Sequence, residues 1–129
     1  YQNHKTMKKI LIVDDEPNIV MSLEYTFKKN NFKVFIARDG KEALDILQVE
    51  TPNVIILDVM MPNVDGYATI EFIKKEPQLQ ACKVIFLSAK NKESDIEKGM
   101  SLGADAYMTK PFSVKKLVEQ VQFFMQDAI

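Results

Sequence analysis

The sequence predicts a doubly wound α/β domain built on a parallel sheet, and three observations carry that expectation. Short apolar runs rich in β-branched residues alternate with amphipathic stretches, the pattern of repeated βαβ units. Three of the runs, Ile10 to Val13, Val54 to Leu57 and Val84 to Leu87, are apolar without alternation, as strands covered on both faces require. Each is followed directly by a residue suited to chemistry, and the carboxyl edge of an open α/β sheet is where ligands bind.

After the first run, Pro17 suits a first helical turn, and Ile19, Leu23 and Phe27 at i, i+4 and i+8 give that helix its buried stripe. Val34 to Ala37 is a shorter run, placed toward a sheet edge. Asp39-Gly40 caps a second helix whose apolar face includes Ala43, Leu44 and Leu47. A third helix runs from about Gly66 toward Lys75, turns Ile70 and Ile73 inward and stops before Pro77. The stretch from about Lys92 to Leu102 has only Ile96 and Met100 at helical spacing, with Gly103 as its C-cap. It is the weakest helix and so the expected mobile element. Ala106 to Thr109 forms the last strand, again toward an edge. Ser113 then caps a helix with Val114, Leu117, Val118, Val121, Phe124 and Met125 on one face. Five strands and five helices in strict alternation make a flavodoxin-like (βα)5 fold with strand order 2-1-3-4-5 and a switch point between strands 1 and 3. Right-handed crossovers bring the loops after strands 1, 3, 4 and 5 to one edge.

The 129 residues suffice for one domain, and 17 basic against 18 acidic residues leave a net charge of -1. That balance argues against nonspecific nucleic-acid or anionic-membrane binding. Residues 1–6 are polar and unpatterned before Met7, so they are expected to be a leader or vector remnant and residues 7–129 the domain. His4 therefore takes no role. The single Cys82 cannot form an internal disulfide and reads as a small hydrophobe entering a strand. No apolar run approaches the ~20 residues needed to span a bilayer, and the expected location is the cytoplasm.

Asp14 and Asp15 follow the first strand, Asp58 the third, Ser88 the fourth and Lys110 the fifth. One acid before a helix is ordinarily a cap or a dipole partner, but three acids across a switch point repel and favour a divalent cation. An all-oxygen donor set points to magnesium or manganese. An ionised aspartate can attack phosphorus, and Lys110 and the Ser88 hydroxyl suit the dianion that results. The Lys110-Pro111 bond is expected to be trans on the sequence alone.

Together these residues resemble the receiver domain of bacterial two-component response regulators. The matching segments are ILIVDDEP at 10–17, VIILDVMMPNVDGY at 54–67, VIFLSA at 84–89 and GADAYMTKPF at 103–112. The resemblance implies that Asp58 accepts a phosphoryl group from a sensor histidine kinase or phosphotransfer protein. It implies magnesium held by Asp15, by Asp14 partly through water, by Asp58 and by the Met60 carbonyl. Ser88 and Tyr107 match the family's switch hydroxyl and switch aromatic, and Lys110 its lysine, followed by a cis bond at Pro111. Phosphorylation would then reshape the face of helix 4, strand 5 and helix 5 and so change partner affinity, with no direct nucleic-acid or membrane binding by this domain. By the same resemblance, Met60 and Lys90 occupy the positions that tune phosphoryl lifetime in the family. Neither offers a carboxylate or amide to position a water, so self-dephosphorylation is expected to be slow. Such a protein is not a conventional enzyme, since it catalyses only its own phosphorylation and dephosphorylation.

Two other phosphate-handling classes fit less well. A haloacid-dehalogenase-like phosphatase needs a second acid at the position of Met60, and a flavin-binding relative needs a Gly-, Ser- or Thr-rich loop after strand 1, where this chain is acidic. The alternative that remains is a receiver-like interaction module without phosphate turnover.

Overall fold

The computed structural model describes residues 7–126, so the expected leader at 1–6, with His4, lies outside the described residues. Five strands, β1 (Lys9–Val13), β2 (Lys33–Ala37), β3 (Val54–Leu57), β4 (Lys83–Ser88) and β5 (Ala106–Thr109), alternate with five helices. The helices are α1 (Pro17–Lys29), α2 (Gly40–Leu47), α3 (Gly66–Lys75), α4 (Glu93–Ser101) and α5 (Val114–Phe124), and a 3-10 turn at Pro77–Leu79 follows α3. All strand pairs are parallel and the order is β2-β1-β3-β4-β5, the expected flavodoxin-like arrangement.

The non-alternating strands are buried on both faces. Leu11, Val13, Ile55, Leu57, Val84 and Phe86 face one apolar layer, with Ala43 and Leu47 of α2 and Ile70 and Ile73 of α3. Ile10, Ile12, Val54, Ile56, Ile85 and Leu87 face the other, with Leu23 and Phe27 of α1 and Leu117 and Val121 of α5. Each Val, Leu, Ile or Phe among them contributes roughly 1.5–3 kcal/mol when fully buried. The outer strands β2 and β5 are only partly covered, as their less uniform sequences imply.

Side-chain caps set three helix starts. Asp39, Asp65 and Ser113 accept from the backbone N–H groups of Glu42, Ala68 and Lys116. Gly66 opens α3 where a Cβ would lie 2.2 Å from the Asp58 carbonyl oxygen, so only glycine lets the helix start this close to the end of β3.

Two expectations need correction. Met100 is 42% exposed, and the buried residue of α4 is Gly99, whose missing Cβ would sit 3.0 Å from both Phe86 and Tyr107. Close backbone approach, not an apolar stripe, docks this helix. Ser88 is the last residue of β4 rather than the first beyond it, because its backbone still pairs with β5.

Replacing Asp65 by Ala removes the α3 cap and should cost about 1 kcal/mol in urea unfolding, with Asn retaining most of it. An alanine variant as stable as the parent would show that the cap contributes nothing.

Candidate functional site at the carboxyl edge of the sheet

The ladder continues one residue beyond the strands, and that extension positions the site. Asp14 N–H donates to the Ala37 carbonyl at 3.0 Å, Asp58 N–H to the Val13 carbonyl at 3.0 Å, and Lys110 N–H to the Ser88 carbonyl at 2.8 Å. With the backbones of Asp14 and Asp58 held in the sheet, Asp14, its neighbour Asp15 and Asp58 bring carboxylate oxygens within 4.8 Å of one another. Asp14 and Asp58 are buried and Asp15 is exposed.

Lys110 closes the cluster. Its ammonium lies 3.0 Å from Asp14 Oδ2, 3.3 Å from Asp58 Oδ2 and 3.1 Å from Glu16 Oε1. The Lys110-Pro111 peptide is cis, as the resemblance implied and the sequence alone did not. Asp14 Oδ1 accepts from the Glu16 N–H at 2.9 Å, and Asp58 Oδ1 from the Met60 N–H at 3.3 Å.

Burial pushes the Asp14 carboxyl above its ordinary value, against the lowering effect of the Glu16 N–H and Lys110. Burial likewise raises Asp58, with Lys110 opposing and the Asp14 charge adding to the rise. Burial on its own would lower Lys110, but the carboxylates of Asp14, Asp58 and Glu16 outweigh it and hold the ammonium protonated. One cation among four acids leaves a negative deficit. The donor set is all oxygen, so the cluster fits a hard divalent cation of the magnesium type.

Ser88, Lys90 and Tyr107 form a second group. The buried Ser88 hydroxyl accepts from the Lys90 N–H at 3.1 Å, and the Tyr107 hydroxyl donates to the Lys90 carbonyl at 2.7 Å. The Lys90 ammonium lies 3.7 Å from Asp95 at the start of α4, and the Tyr107 ring packs on Phe86. Met60 is 58% exposed, with its side chain in solvent. The site residue that sequence reasoning missed is Glu16. Its signal was an acid next to the Asp pair that, preceding Pro17, stood outside the helix stripe.

A family model described as the response regulator receiver domain matches residues 10–122. The chain belongs to that family. Solved structures agree with this assignment. The receiver domain of the Francisella response regulator 1452 is 33% identical at a TM-score of 0.84, over 91% of this chain and 95% of that one. The BeF3-activated receiver domain of DrrB, a Thermotoga maritima protein, is 31% identical at a TM-score of 0.87, over 95% and 100%. The chemotaxis response regulator CheY4 of Vibrio cholerae is 29% identical at a TM-score of 0.86, over 93% and 100%. No helix among the described residues of this receiver is long and apolar enough to cross a membrane.

Because burial favours the uncharged forms of Asp14 and Asp58, neutralising Asp58 should stabilise the metal-free receiver. A carboxyl whose folded pKa exceeds its unfolded value near 3.8 lowers stability above that folded pKa, and the loss is recovered as pH falls through the window between the two. Asp58→Asn should therefore unfold at higher urea than the parent at pH 7, the gap narrowing on acidification through that window. A parent equal to the variant at pH 7 without divalent cation would contradict the burial penalty.

Proposed function

We propose that this receiver is a phosphoacceptor switch in which Asp58 takes a phosphoryl group from a phosphohistidine of a sensor histidine kinase or phosphotransfer protein. The observation that supports it best is the Lys110 ammonium within 3.3 Å of a buried Asp58 carboxylate, beside two further acids. In this mechanism an Asp58 oxygen forms the new bond to phosphorus as the P–N bond breaks. The bonding pair leaves on the donor imidazole, which takes a proton, and an acyl phosphate remains on Asp58.

Lys110 is placed to neutralise the phosphoryl oxygens as a point charge, moving from carboxylate to phosphoryl partners without leaving the site. Asp14, Asp15, Asp58 and the Met60 carbonyl are the proposed holders of magnesium, with manganese an acceptable substitute. When bound, the cation offsets the charge of the carboxylates and the transferred group. The Met60 N–H already donates to Asp58 and offers a further contact.

Ser88 and Tyr107 carry the switch. A phosphoryl group on Asp58 would accept the Ser88 hydroxyl proton and draw that side chain toward it, displacing the oxygen that accepts from the Lys90 N–H, while Lys90 also accepts the Tyr107 hydroxyl through its carbonyl. A shift of Ser88 therefore reaches Tyr107 and the face of α4, β5 and α5, where an output partner binds. Its size is bounded by how differently the phosphoryl group binds the two arrangements. The domain itself contacts neither nucleic acid nor membrane and works in the cytoplasm.

Incubation with acetyl phosphate and magnesium should give one phosphoryl adduct by intact mass. EDTA or Asp58→Ala should abolish it. A chain that stays unmodified under conditions where another receiver reacts would instead be an interaction module without phosphate turnover.

The adduct should decay slowly. Met60 extends into solvent and the Lys90 ammonium is engaged with Asp95, so neither orients a water. A Met60→Asn, Lys90→Glu double variant should lose phosphate faster, on the order of tenfold. A decay rate equal to the parent's would refute this role for the two positions.

A further inference from the structure

Lys110 is held by three carboxylates, and the third comes from an unexpected residue. Glu16 Oε1 meets its ammonium at 3.1 Å across 94 positions of sequence. Glu16 occupies the N-cap position of α1, yet its side chain makes no capping hydrogen bond. Glutamate is not among the preferred capping residues, and Pro17 at the next position has no N–H to offer. The backbone fixes the residue instead, through its N–H to Asp14 Oδ1 at 2.9 Å. The carboxylate is thereby directed sideways to the lysine rather than along the helix.

The two ends of this ion pair lie in different surroundings. The Glu16 side chain is 51% exposed and that of Lys110 10%. Asp14 and Asp58 already hold the lysine from buried positions, so Glu16 adds to its anchoring only what a solvent-exposed partner adds, which is small. Its effect on an incoming dianion is larger. Glu16 occupies one of the three N–H donors of the ammonium and leaves a negative charge beside the place a phosphoryl oxygen must take.

We propose that Glu16 is a positioning residue that competes with the phosphoryl group for Lys110 and so weakens the hold of the site on its phosphoryl ligand. The inference rests on Asp58 being the phosphoacceptor. It makes the acid preceding Pro17 a determinant of phosphoryl affinity, separate from the lifetime positions Met60 and Lys90.

Beryllofluoride, the phosphoryl mimic that activates the DrrB receiver, is the probe. It is titrated at saturating magnesium into the full chain, as the parent and as Glu16→Gln, Glu16→Asp and Asp58→Ala, with amide NMR shifts reporting occupancy. Glu16→Gln keeps the side-chain length and removes the charge, so it should bind beryllofluoride about three- to tenfold more tightly than the parent. Its magnesium affinity without beryllofluoride should change less. Glu16→Asp places its carboxylate one methylene short of the ammonium and should fall between the two. Equal affinities in parent, Gln and Asp forms, or weaker binding by the Gln form, would overturn the competition. A parent that fails to bind beryllofluoride, or binds it equally well as Asp58→Ala, would instead remove the phosphoacceptor function and the inference with it.

Discussion

The site depends on backbone pairing that runs one residue past the ends of the parallel strands. Hydrogen bonds from the N–H groups of Asp14, Asp58 and Lys110 to carbonyls of neighbouring strands fix three main-chain positions at one edge. Only because those positions are fixed can two carboxylates and an ammonium be held together while partly removed from water. Burying unpaired charge is costly, and a lysine free to swing into solvent would leave Asp14 and Asp58 to be neutralised by protonation. The sheet beneath has fully buried side chains on both faces, so the edge has little freedom to relax the cluster apart.

That rigidity does not extend evenly across the domain. The carboxylate cluster sits on β1, β3 and the β5 end, whose strands are braced by the apolar stripes of α1, α3 and α5, the last two with side-chain caps. The Ser88, Lys90 and Tyr107 group sits where β4 leads into α4, a helix that docks through Gly99 and a few half-buried residues. A stiff carboxylate cluster beside a lightly packed helix is a favourable arrangement for a switch. In the proposed switch a small displacement of the Ser88 hydroxyl would be passed through one residue, Lys90, whose N–H, carbonyl and ammonium each make a different contact. A two-state element of this kind requires that its alternatives differ by only a few kcal/mol, which an extensive apolar interface on α4 would prevent.

Electrostatics ties the two functions together. With four acids around one lysine, the cluster carries excess negative charge before any phosphoryl group arrives. In the proposed mechanism a divalent cation would answer the static deficit, and Lys110 the charge that arrives with a phosphoryl group. The acid at Glu16 belongs to the same balance although no strand end delivers it.

The strands and their order were legible in the sequence because a strand buried on both faces leaves an unmistakable apolar run, and strict alternation with helices allows few topologies. The positions of Asp14, Asp15, Asp58 and Ser88 were legible for the same reason, since each lies at the end of such a run, and Lys110 follows the less uniform, half-buried run of β5. What the chain could not reveal locally came from contacts between distant segments. Met100 has the spacing of a buried residue but lies outside, because the packing of α4 is decided by how closely its backbone can approach Phe86 and Tyr107. Ser88 belongs to its strand because β5, not its own neighbours, supplies the pairing. Glu16 looks like a helix-start acid in sequence, and only the fold brings Lys110 to it. Periodicity and strand ends record which surfaces must leave water, a property each segment carries by itself. Which charge meets which is set by the sheet register and crossovers, and that exists only once the whole chain is packed.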